Sequence, residues 1–192
     1  MTKVLFDLDG TVYDLLAGVE KEFPEFKAGE LKQYTFEDGE TYKASDIYDL
    51  FDDPIFFYML EPYQNVKKAI DLMTSKYKIE FYTSCNNDHV FAAKKQALIR
   101  DFPLFGVNVV LHRYEEMDSN HFDDFDVIVD DNVMRLMRTK RVSKNDNFVV
   151  SIHEYNSGEV PLLGCPIVNP FSPSYAVDLY RIIERLNTIG KY

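Results

Sequence analysis

The sequence has no tryptophan and only two cysteines, Cys85 and Cys165, in 192 residues. Two such thiols form neither a disulfide framework nor a zinc-ligand spacing, and they read as the reduced cysteines of a cytoplasmic protein. No apolar run approaches the roughly 20 residues of a membrane-spanning helix. The first residues run straight into an apolar strand with no basic segment ahead of them, so neither a signal peptide nor a membrane partner is expected. Basic residues are also scarce, 21 Lys and Arg against 32 Asp and Glu, for a net charge of -11. A surface of that sign repels nucleic-acid backbones and disfavours duplex binding. Small phosphorylated molecules stay open as substrates, because a metal and a few local cations reverse the field inside one cleft. Repeats and low-complexity stretches are missing too. What is present is apolar mass: 46% hydrophobic residues, with 15 Phe and 13 Tyr. That suffices for one globular domain carrying an inserted subdomain.

Apolar runs alternate with helical patterns along the chain. Strands are expected over 3–8, 78–83, 106–111, 126–129 and 147–152. Helices are expected from 13 to about 26, from Pro62 onward, over 88–101 and over 174–186. Val66, Ala69, Ile70 and Met73 recur at helical spacing on the second of these, and Val90, Ala93, Ala97 and Leu98 on the third. Residues 27–62, rich in charge and aromatics, look inserted. The alternation predicts an α/β fold: a Rossmann-like parallel sheet with helices on both faces. Residues 1–13 and 63–192 would form its core domain, and 14–62 a small helical cap inserted after the first strand.

Three expected strands end in polar groups: Asp7 and Asp9, Thr83 and Ser84, Asp130 and Asp131. Ligands of open α/β sheets bind outside the carboxyl ends of the strands, so these groups can meet. In Asp7-Leu8-Asp9-Gly10-Thr11, one carboxylate can attack phosphorus while the next handles protons. Gly10 permits a sharp turn and close approach to a ligand. The plain alternative is an Asp-Gly turn. Asp130-Asp131 after an apolar run is costly unless solvated or bound to a cation, and its hard oxygens suit magnesium. The alternative there is a helix N-cap, as it is for Thr83-Ser84, whose hydroxyls otherwise suit phosphate oxygens. Lys94 and Lys95 on the following helix are candidate phosphate cations or simply a solvated face. Arg113 is a weaker candidate.

This combination resembles the haloacid dehalogenase superfamily of phosphatases. Asp7 to Thr11 matches its DxDGT-like motif, Thr83 its second motif, Lys95 its helical lysine, and Asp130-Asp131 its acidic pair. Within the superfamily the chain is similar to 5'(3')-deoxyribonucleotidases, through Phe56-Phe57-Tyr58-Met59-Leu60-Glu61-Pro62 and Phe81-Tyr82-Thr83-Ser84. It departs at Cys85, Asn86 and Asn87, where relatives often carry proline and a further lysine. The resemblance implies hydrolysis of deoxyribonucleoside monophosphates with Mg2+. Asp7 would be the nucleophile and Asp9 the general acid and base. Gly10, Thr83, Ser84 and Lys95 would hold the phosphate. Asp7, Asp9, Asp130 and Asp131 would hold the metal, Asp9 through its backbone carbonyl. Phe51, Phe56, Phe57 and Tyr58 are candidates for a wall against the nucleobase, or merely pack the cap.

Competing readings are a phosphatase of another small metabolite and a non-catalytic ligand-binding protein of the same fold. Polynucleotide ends are disfavoured as substrates by the charge. Base and sugar preference are not legible, and a homodimer is neither required nor excluded.

Overall fold

The computed structural model describes residues 1–31, 35–85 and 87–189. Asn86 therefore lies outside the described residues. The chain begins with strand β1 (Lys3–Asp7) and helices α1 (Leu15–Glu22), α2 (Ala44–Leu50), α3 (Pro54–Met59) and α4 (Gln64–Met73). Strand β2 (Lys78–Thr83), helix α5 (Asp88–Asp101), strand β3 (Leu111–Arg113), helix α6 (Ser119–Asp123) and strand β4 (Val127–Asp130) follow. Helix α7 (Val133–Val142), β5 (Phe148–Ser151), α8 (Val160–Leu163), β6 (Ile167–Val168) and α9 (Tyr175–Ile189) complete the order.

The strands form one sheet in the order β3-β2-β1-β4-β5-β6. Every neighbouring pair is parallel. Successive side chains of a strand face opposite sides, so a sheet covered on both faces needs continuous apolar strands. β1 has them. Val4 and Phe6 enter one buried cluster with Val66, Ala69 and Ile70 of α4, Val90 and Leu98 of α5, and Leu179 and Ile183 of α9. Leu5 enters the other, with Phe122 of α6, Val133 and Leu136 of α7, and Leu163 of α8. Each such fully buried side chain contributes about 1.5–3 kcal/mol. The expected doubly covered α/β architecture is therefore present.

The insertion is tied at its base. Asp14 N donates to Glu61 O at 3.0 Å, Tyr63 N donates to Val12 O at 2.9 Å, and Tyr13 bridges Pro62. The chain thus leaves the sheet after β1 and returns toward it at one place. α3 packs on α5. Phe26, Phe36, Ile47, Phe56 and Phe57 join the same buried cluster as Val4 and Phe6, so the insertion shares the core's apolar interior.

Several expected elements move. The strand expected over 106–111 is a 3-10 turn over Gly106–Asn108, and the pairing strand is Leu111–Arg113. Gly106 has φ +52, a conformation that ends extended structure. Pro62 precedes α4 rather than opening it, and Tyr63 is the N-cap. On α5 the inward residue between Val90 and Ala97 is Lys94, not Ala93. Among the described residues no helix is long and apolar enough to cross a membrane.

Candidate active site

The sheet order puts β1 between β2 and β4. Phe6 lies opposite both Phe81 and Val129. The next residues along, Asp7, Tyr82 and Asp130, therefore stand side by side at the carboxyl edge. The three polar strand ends, distant in sequence, meet there.

Two helix caps release the site groups from structural duty. Asn132 caps α7 by accepting from Arg135 N. Asn87 caps α5 by accepting from Val90 N. Asp130, Asp131, Thr83 and Ser84 are thus not needed as caps, which answers the structural alternative for all four.

Carboxylate oxygens of Asp7, Asp130 and Asp131 lie within 4.8 Å of one another, and all three residues are buried. Asp131 accepts from Tyr155 Oη at 2.6 Å and Thr11 Oγ1 at 3.3 Å. Asp130 accepts from Tyr82 Oη and, at 2.8 Å, from Asn132 N. Asp7 Oδ1 faces Arg135 Nη1 at 2.5 Å, whereas Asp7 Oδ2 has no hydrogen-bond partner among the described residues. Burial, opposed by Arg135 and reinforced by Asp130 and Asp131, raises the Asp7 carboxyl well above the carboxylate range. Burial and the Asp130 charge push Asp131 up to about 7. Burial alone would lower Arg135, but the charges of Asp130 and Asp7 prevail and raise it. The donor set is all hard oxygen, one oxygen is orphaned, and the charges repel. Those properties fit a divalent cation of the magnesium type.

A second group stands beside the first. Lys94 Nζ lies 2.5 Å from Asp9 Oδ2, 2.8 Å from Thr83 Oγ1 and 2.9 Å from the Ser84 carbonyl. Thr83 Oγ1 also donates to Asp9 Oδ2 at 3.1 Å. The Lys94 ammonium sits 4.0 Å from the Phe57 ring centroid. Of the two candidate lysines, the one in this group is Lys94, not the Lys95 that the resemblance favours. Lys94 is 4% exposed, while Lys95 is half-buried and turned off the stripe that α5 presents to the sheet. The Asp9 side chain is also absent from the acid triad, so only its backbone carbonyl is left for the metal role expected of it.

Gly10 has φ +80, and a Cβ there would stand 2.5 Å from Asp131 Oδ2. Its N–H donates to Tyr13 O at 2.9 Å and so serves the turn rather than a phosphate. Its carbonyl accepts from His153 Nε2 at 2.6 Å. The expected aromatic wall is mostly closed. Phe56 and Phe57 are buried against each other at 5.2 Å, half-buried Phe51 packs on both, and Tyr58 is exposed with Arg100 over its ring. Arg113 pairs with Asp88, away from the triad.

Sequence reasoning missed Arg135, Tyr155 and His153, and gave no role of their own to Thr11 and Tyr82, which it met only within motifs. Arg135 carried a signal. A cation in the first turn of a helix opposes the helix dipole and is tolerated when anions face it.

The structure is similar to the crystal structure of a haloacid dehalogenase-like family hydrolase from Xanthomonas campestris, with TM-score 0.55 over 98% of each chain and 12% identity. The chain has the fold of that hydrolase. No family model and no curated protein matches the sequence. Likeness at this identity speaks for the haloacid dehalogenase-like fold, and the geometry of the strand ends has to carry the chemistry.

Proposed function

We propose that the protein is a magnesium-dependent phosphatase of small phosphate monoesters, nucleoside monophosphates in particular, working through an aspartyl-phosphate on Asp7. The observation that carries this reading is the buried Asp7, with one orphaned oxygen, beside a second aspartate held by Lys94 and Thr83.

Asp7 Oδ2 is the oxygen free to attack phosphorus. The phosphoryl oxygens are met by the Thr83 hydroxyl and the Lys94 ammonium, and phosphoryl transfer depends chiefly on such positioning and charge neutralisation. Asp7, Asp130 and Asp131, with the Asp9 carbonyl, would hold the metal, which when bound would add positive charge to neutralise those oxygens. As the phosphate draws Lys94 toward itself, Asp9 loses its cation and can carry a proton. Asp9 then protonates the leaving oxygen, and afterwards takes a proton from the water that hydrolyses the acyl phosphate.

The nucleotide assignment rests on the resemblance of residues 56–62 and 81–84. The packed state of Phe56 and Phe57 favours a second reading, another small phosphate monoester, because both rings are buried. The test is phosphate release from a panel of nucleoside monophosphates and sugar phosphates, with magnesium and with EDTA. Asp7→Asn is expected to lose at least about a thousandfold in turnover while remaining folded. Full activity in Asp7→Asn would remove the mechanism. Release only from sugar phosphates would keep the mechanism and change the substrate.

A further inference from the structure

A cavity of about 600 Å³ opens between α1, the loop after β5 and the loop after β6. Its size is that of a small-molecule site. Tyr63, His153, Tyr155 and Phe171 supply aromatic surface. His153 and Tyr155 stack in parallel at 4.9 Å, and Phe171 meets Tyr63 edge-on at 5.2 Å. Phe171 is 60% exposed, a large apolar side chain at the mouth.

The charge around this cavity has one sign. Asp14, Glu20 and Glu154 line it, and among the described residues no Lys or Arg does. His153 adds no positive charge near neutral pH. Its ring donates from Nε2 to the Gly10 carbonyl, and burial lowers its pKa to about 4. A phosphate is repelled here, so the cavity does not extend the reactive site toward an anionic substrate. A bare metal ion is not the natural occupant either. Among the described residues only Asp7, Asp130 and Asp131 gather their carboxylate oxygens within 4.8 Å. The cavity's acids are instead spread around an aromatic wall, which matches a cation distributed on an organic body.

We propose that this cavity binds a small organic ammonium ion with a flat apolar body. The ammonium is held by the carboxylates and ring faces, and the body lies against the paired rings of Tyr63 and Phe171. Occupancy reaches the reactive turn through two contacts already in place: His153 to the Gly10 carbonyl, and Tyr155 to Asp131. The inference does not depend on the phosphatase reading, since its measurement is binding alone.

The test uses three indoles of nearly one shape: tryptamine (cation), tryptophol (neutral) and indole-3-acetate (anion). The chain has no Trp, so indole emission reports the probe without background. Tryptamine is expected to bind most tightly and indole-3-acetate least. Phe171→Ala and Glu154→Gln, both at exposed positions, are each expected to weaken tryptamine about fivefold to tenfold. The imidazole signals of His153, assigned by their loss in His153→Gln, are expected to shift during the titration. Equal affinity for the three probes, no binding, a silent His153 signal, or unchanged affinity in Phe171→Ala (which would place the amine at the acid triad instead) would each overturn the proposal.

Discussion

Arg135 Nη1 lies 2.5 Å from Asp7 Oδ1, and the same guanidinium reaches Asp130 Oδ2 at 3.6 Å from Nε. It also lies over the rings of Tyr82 and Tyr114. One cation therefore serves two of the three buried carboxylates. Without it, those carboxylates would face one another with only hydroxyl and amide donors to compensate.

The first prediction follows. Arg135→Met should cost the metal-free protein about 3–5 kcal/mol, the usual penalty for stripping one partner from a buried ion pair. Magnesium should restore part of that loss, because it supplies the missing positive charge and binds only the folded form. Urea denaturation of both proteins, with and without magnesium, measures it. An equal loss in the two conditions would mean that Arg135 acts through packing on Tyr82 rather than through charge.

The adjacent lysines separate cleanly. Lys94→Met removes the contacts to Asp9, Thr83 and Ser84 and is expected to lower kcat/KM about a hundredfold or more. Lys95→Met should stay within about twofold, as a substitution outside the site. Steady-state kinetics on the best substrate of the panel decides it. The reverse pattern would return the role to Lys95.

Gly10→Ala should be costly for a steric reason. The backbone there is left-handed, and the added Cβ would meet Asp131 Oδ2 at 2.5 Å and Tyr155 Oη at 2.8 Å. A stability loss of about 1–3 kcal/mol is expected, with weaker magnesium affinity as Asp131 is displaced. Thermal denaturation and magnesium titration by calorimetry read the two effects. Wild-type affinity would show that the turn yields without moving Asp131.

The pH dependence assigned to His153 has a definite sign. Its folded pKa of about 4 lies below the ordinary value of 6.5. Above 6.5 the ring is neutral in both states, and its contribution is complete. As pH falls from 6.5 toward 4, the unfolded chain takes up a proton that the folded one refuses, and stability declines by about 1.4 kcal/mol per unit of pKa difference. Stability of wild type and His153→Gln measured between pH 7 and 4 should converge on acidification. Parallel curves would show that His153 titrates normally in the fold.

The sheet and the meeting of polar groups at its carboxyl edge were legible because buried parallel strands are continuous apolar runs, and four of them, β1, β2, β4 and β5, stand out in the sequence. The polar residue ending each of β1, β2 and β4 marked the edge. Other elements were too weakly patterned. β6 is two residues long, and α7 carries Arg135, Arg138, Lys140 and Arg141 among its apolar positions, which hides its buried face. Lys94 was misread for a specific reason. Positions 90, 94, 97 and 98 follow helical spacing as well as 90, 93, 97 and 98 do, and a lysine is not expected on an inward stripe. Only Asp9 and Thr83, brought from other strands, make a lysine acceptable there. The aromatic stretch at 56–58 was legible as aromatic, but which rings keep a free face depends on packing against Phe51 and α5.

The central place of β1 in the sheet bears on how the chain assembles during synthesis. The strand made first is the one that needs neighbours from both later segments, and Asp7 waits 128 positions for Arg135. Until β4 has emerged, β1 keeps an open edge, and until α7 has emerged Asp7 lacks its cation. Such long-range parallel pairing is slow and exposes sticky surface meanwhile. A ribosome-bound chain ending before residue 135 should therefore be far more open to proteolysis and chaperone capture than one ending after it.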